Sequence, residues 1–263
     1  MPDGQATAVE LSQPSVLRWA MTAWRDGFAA FRQMPGALGV AALAVLALNL
    51  VIGPLLRERE GFGAEIFGIV DAIIEGFVLT PAAIAVHRFV LLSERATRYR
   101  LAPFDPRFRK FFFFVAVIEL VAGIPLALAK SVSGWAGTAS EVAYWAFALA
   151  GLVLVLRMLL LFPAIAVDAP GAAWRKAYQD TKTHAWHMLF IAIVTGIPLI
   201  VLYLVIVFGT EALVGPSNAG EAIAETVRSV LTAAIFAALA SRMFTAFADR
   251  LRAPAGRPAT TTV

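Results

Sequence analysis

The chain has 263 residues, of which 60% are hydrophobic and only 15% charged, with a formal net charge of +4 and no cysteine. A water-soluble chain of this length normally carries about a quarter charged residues, so a soluble globular class is excluded. The lack of cysteine also removes disulfides, a thiol nucleophile and thiolate metal sites.

Residues 1–13 are polar and contain Asp3 and Glu10. They read as a flexible N-terminus rather than a cleavable signal peptide, which leaves the first span as the expected insertion signal. Over 14–34, Leu17, Met21, Trp24, Phe28 and Phe31 recur at spacings of three and four, forming one apolar stripe. Arg18, Arg25 and Arg32 recur beside it every seven residues. Such a segment is expected to be an amphipathic helix lying flat in the membrane interface. Pro14 suits its start and Pro35-Gly36 a bend after it. It serves either as a topological anchor or as a docking surface for a partner or lipid.

Six apolar runs follow, near 37–56, 64–90, 111–129, 142–166, 187–209 and 222–247. Each approximates the ~20 residues with which a helix crosses a ~30 Å hydrocarbon core. The expected fold is therefore all-α: a polytopic membrane protein with a six-helix domain over 35–250 and a disordered cytoplasmic tail over 251–263. The string Pro81-Ala-Ala-Ile-Ala-Val86 in span two returns as Pro163-Ala-Ile-Ala-Val167 in span four. Gly123-Ile-Pro-Leu126 in span three returns as Gly196-Ile-Pro-Leu199 in span five. The repeated order predicts two hairpins of the same sense, a parallel repeat about an axis along the membrane normal.

Basic residues are segregated. Assigning the gaps alternately places seventeen Arg and Lys on one side, among them Arg88, Arg95, Arg98, Arg100, Arg107, Arg109 and Lys110. The other side receives three, Arg57, Arg59 and Lys130, while Arg157 and Arg228 lie inside runs. Under the positive-inside rule both termini are expected in the cytoplasm of a bacterial inner-membrane protein. The positive charge then meets anionic lipid rather than nucleic acid. Trp135, Tyr144, Trp145, Trp174, Tyr178, Trp186 and Phe111 to Phe114 fit headgroup-zone anchors.

Ionisable groups within the spans carry the strongest expectation of function. Asp71 and Glu75 share a helix face, and Glu119, Arg157, Arg228 and Asn49 lie in other spans. Counting rise along the helices suggests a Glu119–Arg157 pair and places Asp71, Arg228 and Asn49 at one depth, with Glu75 near the midplane. These are either buried interhelical pairs that fix register or a polar path for protons or a small solute. Enzyme signatures are absent: no P-loop, dinucleotide fingerprint, nucleophile elbow or His-Glu-x-x-His occurs. His184 and His187 stand three apart, with Asp180 the nearest acid, so no metal or other cofactor is expected.

The stretch Arg157-Met-Leu-Leu-Leu-Phe-Pro163-Ala-Ile-Ala-Val-Asp168, with Gly171, Trp174-Arg175, Thr181-Lys182 and His184-Ala-Trp186, resembles a bacterial membrane-domain signature. So does His87-Arg88-Phe-Val-Leu-Leu-Ser-Glu94. The similarity is to the membrane domain attached to some glycerophosphoryl diester phosphodiesterases and to its free-standing relatives. The resemblance implies a six-helix membrane domain without the soluble catalytic barrel. Phe89 follows His87-Arg88 where the catalytic domain would have glycine, so phosphodiesterase activity is not implied.

The segment 168–187 combines a short amphipathic helix with Arg175, Lys176, Lys182 and His184, a set suited to a phosphate-bearing headgroup. The expectation is a non-enzymatic inner-membrane protein that contacts or organises anionic phospholipid, or supports a membrane complex through a membrane-protein partner or a second copy. The alternative is a small-solute or proton-coupled transporter using the span-two carboxylates.

Overall fold

Helix follows from the apolar runs, because hydrocarbon offers backbone N–H and C=O groups no partner outside their own segment. A computed structural model describes residues 15–57, 61–131, 137–215 and 217–253. The N-terminal segment 1–13 and most of the expected tail lie outside them, with Trp135, Arg59 and Arg257. Ten helices and no strand occur among the described residues: α1 Val16–Gln33, α2 Pro35–Arg57, α3 Gly61–Leu92, α4 Pro106–Ser131, α5 Thr138–Met158, α6 Leu161–Ala166, α7 Trp174–Thr181, α8 Ala185–Val214, α9 Asn218–Phe247 and α10 Asp249–Arg252. Among the described residues six stretches are long and apolar enough to cross a membrane: Pro35–Leu55, Phe62–Leu92, Pro106–Ala129, Thr138–Ala166, Ala185–Leu213 and Asn218–Phe247.

The last of these is the centre of the fold. In α9, 56% of the apolar stretch is buried, against 17–22% in α2, α3, α4 and α8. Its sequence explains why: Ala222, Ala224, Ala234, Ala237, Ala238, Ala240 and Ser241 are all buried, and small side chains let helix backbones approach closely in a membrane. Helices α1, α2, α3 and α8 pack around it. On the outside, Leu43, Val51, Phe113, Leu149, Val205 and Phe208 are exposed, a lipid-facing pattern that an aqueous fold would not show.

Helix α1 starts at Ser15, whose hydroxyl accepts the Arg18 N–H at 3.4 Å. It buries a small-residue face, Ala20, Ala23, Asp26, Gly27 and Ala30, rather than the whole expected stripe. A Cβ at Gly27 would lie 3.0 Å from Ile235 of α9. The stripe divides: Trp24 donates its indole N–H to the Thr195 carbonyl at 3.1 Å, while Leu17, Met21 and Phe28 stay exposed. Arg242 donates to Asp26 at 2.6 Å, tying α1 to α9.

The two halves of the expected repeat fold differently. Pro81, Pro125 and Pro198 lie within continuous helices. Span four instead breaks at Leu159–Leu160, between α5 and α6. Pro163 falls in the first turn of α6, where a missing N–H costs no helical bond. Helices α3 and α4 pack along each other, whereas α5 and α8 meet only locally, α5 pairing with α4 instead. Phe111 is buried in the core against Phe162, with ring centroids 4.8 Å apart, and so is not a headgroup anchor.

Candidate functional site

Short segments rich in Arg and Lys join α3 to α4 and α6 to α8. Helix α3 ends as Ser93 turns to a positive φ of 57°. The connector 93–105 then folds back over α3. Arg88 grips Glu94 with two hydrogen bonds of 2.7 Å and donates a third to the Ala166 carbonyl at 2.9 Å. Tyr99 donates its hydroxyl to the Val78 carbonyl at 2.8 Å, and the Ala96 N–H points at the Met34 sulfur at 3.2 Å. Partial burial raises the Tyr99 phenol above its ordinary value. Asp105 accepts the Arg107 N–H at 2.8 Å and so starts α4 at Pro106, earlier than the apolar run alone predicts.

The second connector is fastened to the first. Arg107 pairs with both oxygens of Asp168, holding that carboxyl below its ordinary range. Lys110 donates to the Ala172 carbonyl at 2.6 Å. Gly171 donates its N–H to the Leu251 carbonyl at 3.0 Å. Asp180, its side chain only 4% exposed, accepts the N–H groups of Arg250 and Leu251 at 3.1 and 3.0 Å. Burial raises its pKa, and those two backbone donors act in the opposite sense.

On this base α7 displays the expected headgroup set. Trp174, Arg175, Tyr178, Lys182 and Trp186 are exposed and Lys176 is half-buried. No side-chain hydrogen bond or ion pair within the protein engages Arg175, Lys176 or Lys182 among the described residues. His184 departs from the set: its ring stacks on Phe247 at 4.7 Å between centroids and is half-buried.

The intramembrane pairs differ from the depth estimate. Glu119 and Arg157 are not bonded to each other among the described residues. Arg157 lies in the last turn of α5, its guanidinium 4.8 Å over the Tyr178 ring. Rise counting takes 142–166 as one straight helix, whereas the helix breaks at Leu159–Leu160, just after Arg157, and the guanidinium meets α7. Arg228 does not pair with Asp71 but with Glu225, three residues earlier on α9. Glu75, expected near the midplane, lines a cavity together with Ser229 of α9. Asn49 donates to Thr226 at 3.2 Å, joining α2 to α9.

These groups converge on two cavities. Asp71, Glu75, Glu119, Glu225, Arg228 and Ser229 line one of about 490 Å³. A second, of about 400 Å³, shares Asp71 and Glu225 with it and adds Asn49, Tyr203 and Glu211. Sequence reading missed Glu225, although its i,i+3 spacing from Arg228 is a recognisable helical pair. It also missed His87, which is buried with its Nδ1 2.8 Å from Ser241 Oγ. Ser241 donates its own proton to the Ala237 carbonyl at 2.8 Å, so His87 is the donor toward it. Nothing in the local sequence pairs residues 154 positions apart.

No family model, curated protein or solved structure matches this chain.

Proposed function

We propose that the chain is a non-enzymatic, multi-pass bacterial inner-membrane protein, with both termini in the cytoplasm, that holds anionic phospholipid headgroups against α7. The observation that carries this reading is the set Arg175, Lys176 and Lys182, without a side-chain partner among the described residues and flanked by exposed Trp174, Tyr178 and Trp186. Cations beside amphipathic rings suit the headgroup zone, where each Lys or Arg near an anionic surface contributes about 1 kcal/mol. The charge segregation supports the orientation. The exposed Leu17, Met21 and Phe28 support an interfacial position for α1. The resemblance of its sequence to free-standing relatives of the phosphodiesterase membrane domain fits a role without catalysis. Native mass spectrometry of the full chain, with phosphatidylglycerol and phosphatidylcholine offered in equal amounts, tests the reading. Wild type should retain phosphatidylglycerol preferentially, and Arg175→Gln/Lys176→Gln/Lys182→Gln should lose the preference. Equal retention of both lipids by wild type overturns it.

A second reading has its own support in the carboxylates Asp71, Glu75, Glu119 and Glu225 lining one cavity inside the span region. A proton-coupled path would use such groups. Proteoliposomes under an imposed potential would then acidify or alkalinise their lumen, and Asp71→Asn/Glu75→Gln would abolish the change. No lumenal pH change with wild type removes this reading.

A further inference from the structure

Between the connector 93–105, the inner half of α3 and the start of α2 lies a cavity of about 300 Å³, separate from the α7 surface. Its floor is small and apolar because α3 contributes Pro81, Ala82 and Ala85 there and α2 contributes Ala37. Its roof is fixed at several points. Tyr99 is tied to Val78 and Ala96 to Met34, and a Cβ on Gly36 would stand only 3.0 Å from the Thr97 carbonyl oxygen. Its polar wall is lined by Arg88, Arg95, Arg98, Arg100 and Arg107.

Two carboxylates, Glu94 and Asp105, also reach the wall, which leaves five cations against two anions, a balance of +3. Both acids are already committed. Glu94 holds Arg88 and Asp105 accepts the N–H groups that open α4. Arg95, Arg98 and Arg100 have no acid partner among the described residues, and their side chains are exposed. Three free arginines facing one recess repel each other unless an anion joins them. A phosphate group, with oxygens that match the guanidinium fork, is the anion this arrangement recognises.

We propose that this cavity is a phosphate-binding site, in which Arg95, Arg98 and Arg100 hold the anion while Arg88 and Arg107 brace the walls through Glu94 and Asp168. The phosphate belongs either to a lipid headgroup, whose glycerol end would lie on the apolar floor, or to a soluble phosphate. The inference rests on the reading of this end as the one that meets headgroups, but it concerns different residues from α7.

The test uses the full chain in detergent, titrated with phosphatidic acid and, separately, with inorganic phosphate, with bound species counted by native mass spectrometry. Arg95→Gln/Arg98→Gln/Arg100→Gln should weaken phosphatidic acid binding by at least about tenfold, since each lost arginine removes charge-assisted hydrogen bonds to the phosphate. The matching Lys triple variant keeps the charge and should lose less. All three positions are exposed, and an unchanged thermal unfolding profile shows that the fold is intact. If inorganic phosphate binds alone with the same dependence on these arginines and displaces phosphatidic acid, the site takes soluble phosphate. If it does neither, the site takes the lipid headgroup. Binding unchanged in the Gln triple variant overturns the proposal. Loss confined to the α7 variant Arg175→Gln/Lys176→Gln/Lys182→Gln also overturns it, while sustaining the α7 reading. Loss confined to the connector variant does the reverse.

Discussion

Gly171 donates its N–H to the Leu251 carbonyl at 3.0 Å, in a space that has no room for a side chain. A Cβ at Gly171 would stand 2.5 Å from the carbonyl oxygens of both Arg250 and Leu251. Gly171→Ala should therefore separate α10 from the α6–α7 connector, losing this bond and disturbing the two N–H groups on Asp180. The expected cost is about 2–4 kcal/mol, the range of severe backbone misfits. It would be read as a lowered unfolding temperature in detergent, with faster proteolysis near residue 250. Gly39→Ala, with nothing within 4 Å of its added Cβ, is the control and should leave both unchanged.

Arg157 and Tyr178 should be coupled, and Arg157 and Glu119 should not. A double-mutant cycle with Arg157→Met and Tyr178→Leu is expected to give about 0.5–2 kcal/mol, the range of a partly desolvated cation–π contact. The cycle of Arg157→Met with Glu119→Gln should add within about 0.5 kcal/mol. Chemical unfolding in mixed micelles provides both values. A large coupling in the second cycle would restore the pair expected from sequence.

The contrast shows what the residues disclose before folding. The six spans were legible because length and hydropathy act residue by residue, and Pro35 marked the bend after α1. Arg157 was misplaced because a two-residue break at Leu159–Leu160 has no strong local signal, and depth counting compounds any such break. Asn49, Asp71 and Glu75 are unusual for their surroundings, but that Asn49 meets Thr226 of α9 and the two acids share a cavity depends on helix rotation. His87–Ser241 and Asp26–Arg242 join residues more than 150 positions apart. Periodicity gives the face of a helix, not the face it meets.

Ser241→Ala should cost about 1–3 kcal/mol, because it strands the His87 N–H in a fully buried position. Replacing both groups with apolar ones, His87→Leu/Ser241→Ala, should recover part of the loss. Equilibrium unfolding of the two variants beside wild type decides the matter. Equal stability of the single variant and wild type would show that water replaces the hydroxyl.

Asp168 and Asp180 should give opposite pH dependences. Arg107 holds Asp168 below the ordinary 3.8, so its contribution is present above 3.8 and disappears as pH falls through the depressed value. Its side chain is 61% exposed, which limits the effect to below about 1 kcal/mol. Burial holds Asp180 above 3.8, so the folded state binds the extra proton and stability declines as pH rises from 3.8 through the raised value. Unfolding temperatures between pH 3 and 7 should show Asp168→Asn losing stability throughout the range above 3.8 and approaching wild type only as the pH falls below it. Asp180→Asn keeps an oxygen for the two backbone donors and should remove the decline at this site.

The central position of α9 has a consequence for biosynthesis. Asn49 finds Thr226 across 177 residues, and Asp26 finds Arg242 across 216. At about 5–20 residues per second, a ribosome needs roughly 10–30 s after making α2 to reach α9. During that interval α1, α2 and α3 lack the helix around which they assemble, and their small-residue faces and polar groups meet lipid. The early spans must therefore persist in the bilayer as loosely associated helices until the final one enters and condenses them.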